Sequence, residues 1–245
     1  MKTIAFYSIK GGVGKSSVAV NIAYLAGKAG TRTLFLDLDA QGAGSFFLNV
    51  KPVEGTRVKS LARGKNSVLE QIRASDYRYL DVIPSREGLR NFDLLLDKND
   101  MTLKPLVARL SKDYDLLVID CPPQIGITGE TIFGISDALL VPIVPSALSI
   151  RTLDQLVSFF DRKNLARSKI YPFVSMFDCR KKIHAQTAET MRINYPECLG
   201  TIIPYSSEFE KMGIRKAPLC HYNPNGKAGV ALQSLFEEMR QKELV

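Results

Sequence analysis

The sequence predicts an α/β fold: a doubly wound, mostly parallel sheet with helices on both faces, in a single domain spanning 1–245. Three observations carry this. Apolar, strand-like runs alternate with helical stretches along the chain. One run, Leu116-Leu117-Val118-Ile119, is apolar without a break, as a strand buried on both faces must be. A glycine-rich turn also joins the first strand to the first helix, the junction at which such sheets bind ligands. At 245 residues and 45% hydrophobic content the chain can bury a full core. No stretch reads as a linker, a repeat or a low-complexity tract.

The first strand is Thr3-Ile4-Ala5-Phe6-Tyr7, and the first helix starts near Lys15 and runs through Val18–Ala26. Between them, Gly11, Gly12, Val13 and Gly14 form a phosphate-binding loop. Glycines let the backbone curl so that successive N–H groups point inward at phosphate oxygens. The helix aims its positive end at the same place. Lys15 adds a full charge, and the Ser16 hydroxyl, followed by Ser17, is suited to Mg²⁺. The common pattern G-x-x-x-x-G-K-[ST] would put glycine at position 9, which is Ile9, and a second lysine stands at Lys10. A lone site has no need of it, so it is either a solvated strand-end lysine or something more.

Lys10-Gly11-Gly12-Val13-Gly14-Lys15-Ser16 resembles the deviant Walker A loop of the ParA/MinD family of ATPases. The resemblance implies a P-loop ATPase domain using ATP and Mg²⁺, in which Lys10 reaches across a dimer to the other subunit's nucleotide.

After a break at Gly30, Thr31–Leu36 reads as the second strand, ending in Asp37-Leu38-Asp39-Ala40-Gln41-Gly42. The chain turns here, so the two aspartates need not share one job. They are either a solvated strand-to-loop turn or acids serving a metal, a lysine or an attacking water. The segment resembles the family's switch I, which implies that Asp39 orients the hydrolytic water and joins Ser16 and Asp120 as a metal residue. Residues 45–112 are less legible. Ser67–Arg73, Leu89–Leu96 and Leu103–Leu110 read as helices and Tyr79–Ser85 as a short strand. Lys51, Arg57, Lys59, Arg63, Lys65 and Arg73 make the early part basic.

Tyr114–Asp120 is the central strand. An aspartate at the end of a buried strand is costly unless it meets a cation. Asp120 therefore reads as the Walker B carboxylate acting on the Mg²⁺ shell. Cys121-Pro122-Pro123-Gln124-Ile125-Gly126 resembles the family's switch II. Asp137–Pro145 is the next strand, Leu148–Leu156 opens a helix, Lys169–Phe177 is another strand and Ala185–Asn194 another helix.

Between Arg151 and Lys182 eight Lys/Arg face only three acids. Arg162, Lys163, Arg180, Lys181, Lys182, and beyond them Arg215 and Lys216, suit phosphate contacts without sequence preference. The same charges also serve as an ordinary solvated surface. The family resemblance favours non-specific DNA.

Leu199–Pro204 reads as the last strand. Ile203-Pro204-Tyr205-Ser206 resembles the family's stretch beside the adenine. No N-K-x-D motif is present, which favours ATP over GTP. Val230–Val245 is amphipathic through Leu232, Leu235, Phe236 and Met239, and Leu244 falls off that stripe. Its polar side mixes Glu with Lys and Arg, which favours docking on the domain's own sheet over a membrane surface. His184 and His221 share no segment, and no role follows for them.

Composition narrows the classes. A net charge of +8 tilts toward a polyanionic partner. No C-x-x-C pair occurs among the four cysteines, which argues against an iron–sulfur carrier and favours free thiols. No apolar run approaches the ~18 residues of a membrane span, and no export leader is evident at the N-terminus. The family resemblance thus implies a ParA-type ATPase that is cytoplasmic and nucleoid-associated. It would be a homodimer when ATP-bound, slow, and stimulated by an adaptor or ParB-like protein. Rival readings are a MinD-like membrane switch and a metabolic P-loop ligase.

Overall fold

A computed structural model describes residues 1–52, 58, 61, 66–97, 102–123 and 126–245. Arg57, Lys59, Arg63, Lys65, Gln124 and Ile125 of the sequence reading lie outside the described residues.

The strands are β1 (Lys2–Phe6), β2 (Thr33–Asp37), β3 (Arg73–Ala74), β4 (Leu80–Ile83), β5 (Leu116–Asp120), β6 (Ala138–Ile143), β7 (Ile170–Phe177) and β8 (Ile202–Pro204). They form one sheet in the order β3-β4-β2-β5-β1-β6-β7-β8. Every pairing is parallel except β3 with β4. The chain therefore winds outward in both directions from β1. The loops after β1, β2 and β5 meet where the winding reverses, at the carboxyl ends of the strands.

Alternation along the strands fills two cores. Ile4 and Phe6 of β1, with Phe35, Val118 and Leu140, pack under α1 (Lys15–Lys28), the short α2 (Ala43–Phe47), α8 (Glu208–Arg215), α9 (Leu219–Tyr222) and α10 (Lys227–Gln241). Ala5 and Tyr7, with Leu36, Ile119 and Val141, pack under α3 (Phe92–Asp97), α4 (Lys104–Leu110), α5 (Ile127–Ile135), α6 (Ala147–Arg162) and α7 (Lys182–Asn194). The two-faced, doubly wound sheet read from the sequence is the architecture found.

Local readings differ in places. Ser67–Arg73 is not an α-helix. A 3-10 turn over Asn66–Gln71 gives way to β3, because Arg73 and Ala74 pair with Val82 and Asp81 of β4. Leu89–Leu96 starts as a 3-10 turn (Glu87–Asn91) before α3. α10 buries Leu232, Leu235, Phe236 and Met239 against α1 and β8, so its apolar stripe is used internally. Leu244 is buried as well. Past the end of α10, Glu243 takes φ 55° and Leu244 N–H bonds Met239 O, which folds the leucine back under the helix. No described helix is long and apolar enough to cross a membrane.

Candidate functional site

The loop after β1 follows from its glycines. Gly12 (φ 72°) and Gly14 (φ 83°) occupy the left-handed region that side chains disfavour. Gly14 caps α1 without any side-chain bond, so the first N–H groups of the helix stay available to an anion. The far side of the loop is pinned by Ser175 of β7, whose hydroxyl donates to Val13 O at 2.8 Å.

Lys15 opens α1, and its buried ammonium lies between acids from two strands. It pairs with Asp120 Oδ1 and stands 3.7 Å from Asp39 Oδ2 and 3.4 Å from Ser16 Oγ. Burial works to lower its pKa, but the charge and hydrogen bond of Asp120, with help from Asp39, hold it above the ordinary lysine range. The cation is charged and faces the mouth of the loop.

The two aspartates at the end of β2 separate, as the turn suggested. Asp37 ends the strand, fully buried, in register with Asp120 on β5. Its Oδ2 accepts from the Ser45 N–H at 2.8 Å and the Ser45 hydroxyl at 2.6 Å. Burial first, and then the charge of Asp120, push its pKa up to about 7, against the opposing pull of Ser45 and Lys15. Asp39 has left the sheet and faces Lys15.

Among the described residues, Asp37 Oδ1 and Asp120 Oδ2 are buried oxygens without a hydrogen-bond partner. Orphaned acceptors of this kind call for a cation or water. Two carboxylates and the Ser16 hydroxyl make a hard oxygen donor set of the sort Mg²⁺ takes alongside substrate phosphates. Among the described residues, no cluster of three or more His, Cys, Asp or Glu forms a metal cage.

Beside the loop lies a cleft of about 300 Å³, lined in part by Gly12, Val18, Phe47, Ile203, Tyr205 and Phe209. Ile203, Tyr205 and Ser206 of the predicted adenine stretch line it, whereas the half-buried Pro204 between them does not. Lys10 is half-buried on the outer limb of the loop, and among the described residues its ammonium makes no ion pair.

The seven basic candidates are all exposed, but the structure does not gather them. Arg162 and Lys163 end α6, at the opposite sheet edge from the phosphate loop, and Lys163 pairs with Glu130 at 2.9 Å. Arg180, Lys181 and Lys182 follow the carboxyl end of β7, on the loop edge. Arg180 pairs with Asp178 there, and its hydrogen bond, with its charge, holds that carboxyl well below the usual range. Arg215 lies over Tyr222 and Lys216 over Phe46.

Sequence reading missed Ser45, Ser85 and Ser175, which hold the site together; serines carry no local signal of a distant partner. It gave the histidines no role. His184 Nδ1 accepts from the Asp178 N–H at 3.0 Å, and His221 packs on Tyr24 and Tyr77. All four cysteines are free, and burial pushes the Cys220 thiol up to about 12.

A parallel sheet with a glycine loop, a helix-opening lysine and a strand-end aspartate beside it defines a P-loop nucleoside triphosphatase. Residues 1–170 match the AAA domain family. The chain is 26% identical to the chromosome partitioning protein ParA of Myxococcus xanthus, over 99% of this chain and 89% of that one. It is 28% identical to the chromosome-partitioning ATPase Soj of Treponema pallidum, over 97% and 96%. A plasmid-partition-type protein from Borrelia burgdorferi, solved with AMPPNP bound, superimposes with a TM-score of 0.82 at 23% identity, over 98% and 99%. The chain belongs to the AAA domain family, and within it to the ParA-type P-loop ATPases.

Proposed function

We propose that this ATPase is a nucleotide-gated dimer that holds non-specific DNA while ATP is bound, and so positions a plasmid, chromosome or other large cargo. The observation that carries the nucleotide site is Lys15, charged and held at the mouth of an uncapped helix by Asp120 and Asp39. The loop from Lys10 to Ser17 wraps the phosphates. The base enters the cleft beside Ile203, Tyr205 and Ser206, with Pro204 fixing the strand end between them. Lys15 exchanges its carboxylate partner for phosphate oxygens. Ser16 and Asp120 would hold Mg²⁺, with Asp39 close by, and the ion would supply positive charge against the phosphates. Asp39 orients the attacking water.

Lys10 completes a second protomer's site, as an arginine finger does. Its ammonium, without an ion-pair partner among the described residues, supports this, as do the exposed Ile127 and Leu148 opening α5 and α6 on the same edge. Arg180–Lys182 and Arg215–Lys216, on or near that edge, are the favoured phosphate contacts. Arg162 and Lys163 lie on the opposite edge, away from those contacts. Hydrolysis is slow, stimulated by an adaptor or ParB-like protein, and resets the dimer. The chain acts as one domain, in the cytoplasm on the nucleoid. Relatives named for chromosome partitioning support the assignment.

Lys10→Ala is expected to bind ATP as the wild type does and to stay monomeric in size-exclusion chromatography with a slowly hydrolysed ATP analogue. An unchanged dimer removes the cross-subunit role. Duplex DNA binding with ATP is expected to weaken steeply with salt. No binding at low salt in any nucleotide state removes the DNA half.

A further inference from the structure

Asp39 has a structural problem. β2 ends at Asp37, and the last ladder bond beyond it is Leu38 N–H to Asp120 O at 3.0 Å. The sheet therefore does not hold Asp39. A cavity of about 510 Å³, lined among others by Ala40, Gln41, Gly42, Ser45 and Ser85, opens beside the turn, so protein does not fill that side of it. Local bonds from Gln41 N–H to Asp39 Oδ1 (3.0 Å) and from Gly42 N–H to Asp39 O (2.9 Å) shape the turn but move with it.

Two buried serines supply the missing anchor. Ser85, just past β4, donates its hydroxyl to Asp39 O at 2.5 Å. Its own N–H donates to Ser45 Oγ at 2.8 Å, and Ser45 in turn donates its hydroxyl and N–H to Asp37 Oδ2. Asp37 is fixed in the sheet by register with Asp120. The chain of bonds thus runs from the β5 strand end through Asp37, Ser45 and Ser85 to the backbone of Asp39. Each hydroxyl donates once and each oxygen named accepts, and the relay ends on the backbone of Asp39, not on its carboxylate.

We propose that Ser85, and Ser45 behind it, are positioning residues that fix the backbone of Asp39 and so the direction of its carboxylate. The inference rests on Asp39 orienting the water. A site held loosely by about 1 Å loses rate without losing affinity, because the ground-state contacts to phosphate do not involve Asp39's aim.

The test is single-turnover ATP hydrolysis by the full chain with Mg²⁺, with fluorescent-ATP affinity and thermal unfolding measured in parallel. Ser85→Ala is expected to lower the rate about tenfold, with affinity and melting temperature close to wild type. Ser45→Ala shifts the rate the same way and supplies the reading if Ser85→Ala does not fold. In an Asp39→Ala background, Ser85→Ala is expected to change nothing further. If Asp39→Ala hydrolyses at the full rate, the reading of Asp39 itself fails. If Asp39→Ala is slow but Ser85→Ala is not, or if the two losses multiply, the positioning role is overturned while Asp39 stands. A loss in affinity matching the loss in rate also overturns it.

Discussion

The phosphate loop and the turn after β2 bring charged groups to one mouth, yet they are held in opposite ways. The loop is local. Its conformation comes from Gly12 and Gly14 at positive φ, and its cation comes from the helix that begins one residue later. The turn is assembled at long range. Asp37 is held by Ser45 eight residues on, Ser45 bonds Ser85 forty residues away, and Ser85 reaches back forty-six to Asp39. Each part is therefore vulnerable in a different place. A locally encoded loop fails by direct substitution of its own residues. An assembled turn fails through residues that never meet the nucleotide.

The comparison is sharpened most by removing the loop's cation. Lys15→Met is expected to weaken fluorescent-ATP binding about 100-fold, since charge-assisted bonds to phosphate contribute roughly 1.5–3 kcal/mol. Binding within a few-fold of wild type in an equilibrium titration breaks the comparison at its strongest point.

The turn side is probed next by pH. The folded state holds Asp37 at about 7 against an ordinary 3.8, so between those values the folded chain keeps a proton that the unfolded chain has lost. Stability without nucleotide therefore falls as pH rises through that window. Asp37→Asn keeps an oxygen for the two Ser45 donors and removes the titration. Urea unfolding at pH 5 and pH 8 is expected to show a decline in the wild type that is smaller in Asp37→Asn, by on the order of 2 kcal/mol. Parallel declines in the two proteins sink the idea that this carboxyl is the one titrating.

The smallest effect concerns backbone shape within the loop. Gly14→Ala meets φ 83° and places a Cβ 3.3 Å from Ser175 Oγ, so it is expected to lose about 1–2 kcal/mol in urea unfolding. Gly11→Ala meets no atom within 4 Å and no positive φ, and should stay within about 0.5 kcal/mol of wild type. Equal costs at the two positions would mean that the loop is shaped by something other than its left-handed glycines.

How much was legible follows the same divide. Lys15, Ser16 and Asp120 were read from the sequence and stand together, because strand, loop and helix are contiguous and the β5 run ends on its acid. The split between Asp37 and Asp39 was legible as a turn, but not what each carboxyl would meet. The seven basic residues were read together as candidate phosphate contacts, and sequence could not show that α6 carries Arg162 and Lys163 to the far edge of the sheet. Leu244 looked like a stray residue because its burial depends on a left-handed Glu243 beyond the helix end.

Taken alone, the chain's order of residues determined the doubly wound sheet, the phosphate loop and the acid at the end of β5. Those depend on periodicity and on glycine φ, which neighbours in sequence decide. The fold in space alone decided that Lys15 sits between two strands' carboxylates, that a serine relay reaches Asp39, and which basic residues share an edge. Such contacts join residues tens of positions apart. A hydroxyl or an ammonium has no partner until the packing of the sheet brings one within reach.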